Sequence, residues 1–120
     1  MRISNILLPV DGSRYSDNAV EYAVYLAGLC GARVTAVCCY EWVGGLYEIN
    51  GSVVEELREK LEKEAKDVLA VTAKKLSENG IEHETRPISG APGSMLSNLA
   101  KSKEFDLIIM GSHGHSDIAG

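Results

Sequence analysis

Three stretches of this chain carry residue types that could do chemistry. The first is Asp11-Gly12-Ser13, directly behind the apolar run Ile6-Leu7-Leu8-Pro9-Val10. A carboxylate at the end of a buried strand can contact a ligand or cap the following helix, and the two roles are compatible. The second is Gly111-x-x-Gly114, behind Asp106-Leu107-Ile108-Ile109-Met110. Glycines in that place let a loop turn its backbone amides onto a phosphate, or make an ordinary strand-to-helix turn. Neither a Walker lysine nor a G-x-G-x-x-G accompanies them. The third is His113-x-His115-x-Asp117. Loops often carry such residues without a metal, and no cysteine joins these in sequence, so no metal site is expected. As a general base His113 lacks a nucleophile or a paired acid in the same stretch, so no catalytic residue is expected either.

Three further residues have plainer roles. Cys38 and Cys39 are adjacent on an apolar segment and so point to opposite faces of a strand. Both read as small buried hydrophobes rather than redox centres. His83 falls on an edge-like strand, where it packs or faces solvent.

Placing these groups falls to alternating strands and helices. A first strand covers Ile3 to Val10, with Pro9 tolerable only where its pairing is ending. A helix over Ser13 to Leu29 follows, capped by Ser13 or Ser16, with Ala19, Val20, Ala23, Leu26, Ala27 and Cys30 at helical spacing. Its alanines predict close approach to a sheet, and Gly31 its left-handed end. Val34 to Tyr40 reads as a second buried strand. Glu41 to Gly51 is a glycine-rich loop whose Trp42, Leu46 and Tyr47 either cover a pocket or pack on a helix end.

The spacing then predicts a long helix over Ser52 to Asn79, opened by a Ser52/Glu55 capping box. Val54, Leu57, Leu61, Ala65, Val68, Leu69, Thr72 and Leu76 form its inward face. Glu56–Lys60, Glu59–Lys63 and Glu62–Lys66 are acid-first i,i+4 pairs on a solvated face. Ile81 to Ile88 alternates charged and other residues and contains Pro87, the pattern of an edge strand. A helix from about Pro92 to Ser102 turns Leu96 and Leu99 inward, and Phe105 to Met110 reads as a fourth strand buried on both faces.

This alternation defines an α/β fold, a three-layer α/β/α open parallel sheet of the Rossmann-like kind. The order 3-2-1-4 puts the charged third strand at an edge and the first in the centre. Asp11 and Gly111 to Gly114 then emerge together, where the strand order reverses and ligands bind in open α/β sheets. The fourth strand lies at an edge without charge or proline to blunt it, so a fifth strand missing from a truncated chain, or a partner chain, is expected to cover it.

Bulk properties narrow the classes. At 120 residues the chain reads as one domain, residues 1–120. A net charge of −5 supplies no basic excess for phosphate backbones, so no nucleic acid is expected as partner. Three cysteines, an odd number, argue against a disulfide framework and for a reducing compartment. With no signal-like opening and no apolar segment of the ~18 residues needed to span a bilayer, the sequence predicts a cytoplasmic protein without membrane association.

The two strand-turn units, Ile6-Leu7-Leu8-Pro9-Val10-Asp11-Gly12-Ser13 and Asp106-Leu107-Ile108-Ile109-Met110-Gly111-Ser112-His113-Gly114, resemble those of the universal stress protein family, of the adenine-nucleotide-binding type. Val34 to Glu41 and Gly90-Ala91-Pro92 also fit, so the resemblance spans essentially the whole chain. It implies a stress-response or signalling module that binds ATP, with Mg2+ as companion ion, and forms a homodimer or another homo-oligomer. By position, Pro9, Val10 and Asp11 would line the adenine side, with Asp11 near base or ribose. Cys39 would offer backbone groups to adenine, Gly90 would border the ribose, and Met110, Gly111, His113 and Gly114 would approach ribose and phosphates. ATP-binding members follow the pattern G-x2-G-x9-G-S/T, of which Gly111 and Gly114 match the first half. The second half would fall beyond Gly120, so the resemblance leads one to expect that part of the phosphate cradle, the last helix and the dimer-forming fifth strand are missing from this chain. Two other roles stay open under the resemblance: a slow ATPase, and a nucleotide-free dimerisation domain.

Overall fold

Seven elements alternate along the chain: β1 (Asn5–Pro9), α1 (Arg14–Cys30), β2 (Arg33–Tyr40), α2 (Gly51–Glu78), β3 (His83–Ser89), α3 (Pro92–Lys101) and β4 (Leu107–Ile108). The computed structural model describes residues 2–41 and 51–112, the side chains of 51 and 52 excepted. The loop anchors Trp42, Leu46 and Tyr47, the Ser52 half of the capping box, and His113, Gly114, His115 and Asp117 therefore lie outside the described residues.

The strands form one parallel sheet in the order β3-β2-β1-β4, as the sequence predicts. Alternation along β1 sorts its side chains between two cores. Ile6 and Leu8, in register with Val34 and Ala36, face α1 and α2 and pack with Ala19, Ala23, Ala27, Ala65, Leu69 and Leu76. Leu7 and Val37 face the other way, onto Met95 and, partly buried, Leu96, Leu99 and Phe105. Two helices on one face and one on the other make the three layers. Ile6, Leu7, Leu8, Val34 and Val37 are 0% exposed. Burying one such side chain contributes about 1.5–3 kcal/mol, which explains why the apolar runs settle in the middle of the sheet.

The helix ends follow local chemistry. Ser13 caps α1 from an extended conformation, its hydroxyl accepting from Ser16 N–H at 3.2 Å. Gly31 closes the helix at φ 70°, the left-handed geometry that favours glycine. Pro92 opens α3, where its missing N–H leaves no intrahelical bond unmade.

Several expectations need correction. Leu57, assigned to the inward face of α2, is 47% exposed, because that helix touches the sheet mainly from Ala65 onward. On its outer face Glu62–Lys66 forms at 3.5 Å, but Lys63 pairs with Asp67 at 3.0 Å and Arg58 with Glu62 at 3.2 Å. The fourth strand is much shorter than Phe105 to Met110, and it is not buried on both faces. Only Leu107 and Ile108 pair with β1, opposite Ile6 and Leu7. Leu107 and Ile109 pack against the α1/α2 core, whereas on the opposite face α3 reaches Leu7 and Val37 but leaves Ile108 38% and Met110 53% exposed. An apolar run reports a wish to be covered on both sides; here only one side is.

A feature with no obvious sequence signal holds this short strand in place. The Asp106 carboxylate accepts two backbone hydrogen bonds, from Ser4 N–H at 2.8 Å and Asn5 N–H at 2.9 Å. Asp106 N–H in turn donates to Asn5 C=O at 2.9 Å. These bonds stitch the start of β4 to the start of β1. No helix among the described residues is long and apolar enough to cross a membrane.

Candidate functional site

The strand order reverses between β1 and β4, with α1 leaving β1 on one face and α3 reaching β4 from the other. A crevice of this kind opens beyond the carboxyl ends of the two strands.

Asp11 stands at its β1 side, half-buried, in a closed hydrogen-bond circuit. One carboxylate oxygen accepts from Ser13 N–H at 2.9 Å, an Asx turn that leads the chain into α1. Asp11 N–H donates to the Ser16 hydroxyl at 3.4 Å, and that hydroxyl donates to Ser13 C=O at 3.1 Å. Between them Gly12 sits at φ 82°, and a Cβ there would lie 3.2 Å from Cγ2 of Val68, so α2 leans directly on the turn. One step earlier Val10 N–H donates to Val37 C=O at 2.8 Å, continuing the ladder past β1. The Val10 side chain, 6% exposed, belongs to the α1/α2 core, which leaves only its backbone for the crevice.

The β4 side is fixed by one close contact. A Cβ on Gly111 would fall 2.8 Å from both C and O of Tyr15 and 3.0 Å from its Cβ. Only glycine lets β4's exit lie against the first turn of α1, the turn into which Asp11 leads. This packing demand alone accounts for a glycine at that position. Beside it the Arg14 guanidinium lies 5.2 Å from the centroid of the Tyr15 ring and donates to its hydroxyl at 3.3 Å.

The end of β2 supplies a third wall. Burial pushes the Cys38 thiol up to about 11, with Cys39 and then the Asp11 carboxylate adding to the effect. Geometrically, the bond from Val10 N–H to Val37 C=O brings the chain just before Asp11 alongside β2 near its end. The Cys39 thiol is also raised, by burial and then by Glu41. Both thiols stay protonated near neutral pH and are poor nucleophiles. They divide between the two faces: Cys38 in the α1/α2 core, Cys39 against the α3 core.

The structure thus brings Pro9, Val10, Asp11 and Gly111 together, with Met110 exposed on β4's side and Cys39 on the neighbouring strand. Gly90 is one strand further out. It sits at φ 143° and donates to Tyr40 C=O at 3.0 Å, closing the end of β3 onto β2. The remaining predicted residues, His113 and Gly114, lie outside the described part. Among the described residues no group of three His, Cys, Asp or Glu side chains could hold a metal ion. Sequence reasoning missed Tyr15, as the surface that Gly111 meets, and undervalued Ser16. The available signal for Ser16 was a hydroxyl at a position where α1's spacing demands burial.

The fold is an open parallel α/β sheet whose order reverses between β1 and β4, with Asp11 following the first and Gly111 the second. Comparison with known proteins is narrower. The Universal stress protein family profile matches residues 2–120. The chain is 30% identical over 122 residues to Universal stress protein YxiE of Bacillus subtilis, covering 96% of this chain and 82% of that one. Universal stress protein UspA from Lactobacillus plantarum superposes with a TM-score of 0.83 at 26% identity, over 98% of this chain and 83% of that one. A universal stress protein solved in complex with cAMP shares the fold, with a TM-score of 0.68 and 24% identity over 100% of this chain and 81% of that one. This chain belongs to the universal stress protein family.

The donor set can be weighed against an adenine nucleotide. Half-buried Pro9, the end of β2 at Cys39 and exposed Met110 offer apolar surface to a base. Asp11 offers a carboxylate to ribose hydroxyls, and Gly111 brings backbone close without a side chain. In chemical type, these residues suit a base and a ribose. Among the described residues a phosphate would meet the backbone of Gly111 and Ser112.

Proposed function

We propose that this chain binds an adenine nucleotide, ATP in particular, in the crevice between the ends of β1 and β4, and acts as a binding and signalling module rather than as a catalyst. The observation that carries the proposal is the parallel pairing of β1 with β4, Ile6 opposite Leu107 and Leu7 opposite Ile108. It puts Asp11 and Gly111, a hundred residues apart in sequence, at one mouth. Support also comes from family membership and from the relative solved with cAMP. In this reading Asp11 holds the ribose, Pro9, Val10 and Cys39 border the base with Gly90 at the outer rim, and Met110 and Gly111 approach ribose and phosphate. Mg2+ accompanies the phosphates of ATP in this reading.

Isothermal titration of the chain with ATP, AMP and cAMP tests this. The proposal predicts saturable one-site heat with at least one of them, lost on Asp11→Ala. Absence of heat with all three, together with no nucleotide released from freshly purified protein, contradicts it.

A second observation favours homo-oligomer formation through β4. Ile108 and Met110 expose apolar surface on the strand at the sheet's edge, the situation in which strands pair with a neighbouring copy. Sedimentation equilibrium checks this. A concentration-dependent rise in mass that Ile108→Lys abolishes agrees with it, and a monomer at all concentrations disagrees.

A further inference from the structure

Ser16 is unusual among the polar residues of α1. It lies in the helix's first turn, where hydroxyls commonly meet water, yet it is only 5% exposed. Its hydroxyl also reaches both ends of the turn before the helix. It accepts from Asp11 N–H at 3.4 Å and donates to Ser13 C=O at 3.1 Å. Ser16 N–H meanwhile donates to the Ser13 hydroxyl at 3.2 Å, and Ser13 N–H to the Asp11 carboxylate at 2.9 Å. Four hydrogen bonds thus join three residues, and the Ser16 hydroxyl closes the circuit.

We propose that Ser16 is the positioning residue for Asp11: it orients the carboxylate toward the crevice without touching ligand itself. This rests on the nucleotide-binding reading above and deepens it. The physical reason lies in what else holds the turn. Gly12, at φ 82°, supplies no side chain to fix the backbone, and Val68 only leans against it from the α2 side. Beside the turn, between α1 and α2, opens a cleft of about 360 Å³ whose lining includes Gly12, Ser16, Asp17 and Val68. Within the circuit, Ser13 N–H holds the carboxylate and the Ser16 hydroxyl holds the Asp11 backbone from which that carboxylate projects. Removing the hydroxyl takes away its bond with Asp11 N–H, while Ser13 C=O keeps Asp17 N–H at 3.0 Å and α1's apolar anchors Ala19, Val20 and Ala23 remain buried in the core. The helix stays where it is, and the carboxylate loses its aim.

A double-mutant cycle separates this role from a merely structural one. Wild type, Ser16→Ala, Asp11→Ala and the double variant are titrated with ATP by calorimetry, and thermal midpoints are recorded in parallel. Ser16→Ala is expected to weaken ATP binding about tenfold in the wild-type background and less than about twofold when Asp11 is already alanine, because coupled partners are non-additive. Ser16→Thr, which keeps the hydroxyl, is expected to bind ATP within about threefold of wild type. Equal weakening in both backgrounds overturns the proposal, as does unchanged affinity in Ser16→Ala. Should Ser16→Ala not fold, amide hydrogen exchange in the wild-type protein decides: Asp11 N–H protected about a hundredfold or more over a free loop supports the bond, and an unprotected amide overturns it. A wild-type chain that gives no heat with ATP, AMP or cAMP contradicts the nucleotide reading and with it the ligand part of this inference, while the exchange result still judges the bond itself.

Discussion

β1 and β4 lie side by side in the same sheet and end at the same crevice, yet they are held by different means. β1 is paired on both edges, and its Ile6, Leu7 and Leu8 are completely buried between helices. β4 has two paired residues, one exposed face, and backbone bonds to the Asp106 carboxylate at its start. At its far end, the contact of Gly111 with the backbone of Tyr15 fixes where it goes. One wall of the site is thus fixed by packing, the other by a few local contacts at its two ends. Packing energy grows with buried area and is hard to remove by one change, whereas local contacts are individually decisive. In the proposed nucleotide site, the packed half would meet the base and ribose and the locally held half the phosphates.

The largest effect expected from a single substitution is on the packed wall. Leu7→Ala should lower unfolding free energy by about 2–5 kcal/mol in urea denaturation, the range for emptying a fully buried leucine site. The same truncation across the register, Ile108→Ala, should cost less than about 1.5 kcal/mol, because much of that side chain is already in solvent. Equal costs would erase the contrast between the strands.

Next comes Gly111→Ala. With Tyr15 backbone atoms 2.8 Å from the new Cβ, relief requires moving β4's exit or α1, at a cost of about 1–3 kcal/mol. The variant should also lose nucleotide affinity by more than Gly90→Ala does. Equal loss in the two variants, measured by calorimetry, would mean that contact with α1 does not organise the site.

Asp106→Asn should act more weakly and with a pH signature. The Ser4 N–H and then the Asn5 N–H hold the Asp106 carboxyl below the usual carboxylate range. A depressed folded value contributes stability above the unfolded value, about 3.9, that is lost as pH falls through the folded one. The variant should therefore be less stable than wild type at neutral pH, with the gap closing as pH falls below about 4. Denaturation at stepped pH values reads this directly; a gap that widens on acidification would contradict it. Glu84, lowered chiefly by its hydrogen bonds from Arg86, and Glu55, lowered chiefly by Arg58, add to the wild type's acid sensitivity in the same direction but are present in both proteins.

The smallest effect belongs to the solvated face of α2. Lys63→Ala removes an exposed i,i+4 pair with Asp67 and should change stability by no more than about 0.5 kcal/mol.

Much of this was legible before any coordinates, and unevenly so. The buried run at Ile6 to Leu8, the alanine stripe of α1, the Gly31 cap and the edge character of β3 follow from periodicity and local sterics, which act over a few residues. Strand order followed from adding the chirality of crossovers to an edge-and-centre argument. What escaped depends on distant partners. Ile108 and Met110 look as buried in sequence as Leu7 does, since sequence cannot say which face lacks a helix. Met95, buried at 7% exposure, was overlooked beside Leu96 and Leu99 because one helical turn of α3 offers several apolar candidates. Asp106 falls inside a run that reads as a buried strand, and it proves to be that strand's fastening. Gly111 was legible as a required glycine, but the neighbour requiring it, Tyr15, lies nearly a whole chain away.

The most direct test of a site shared by two strands is an amide chemical-shift titration of the labelled chain with ATP. The account predicts that Asp11 and Gly111 shift together along one binding curve, while the Lys63 and Asp67 amides on the outer face of α2 stay fixed. Shifts confined to one of the two crevice segments, or two curves with different midpoints, would contradict it.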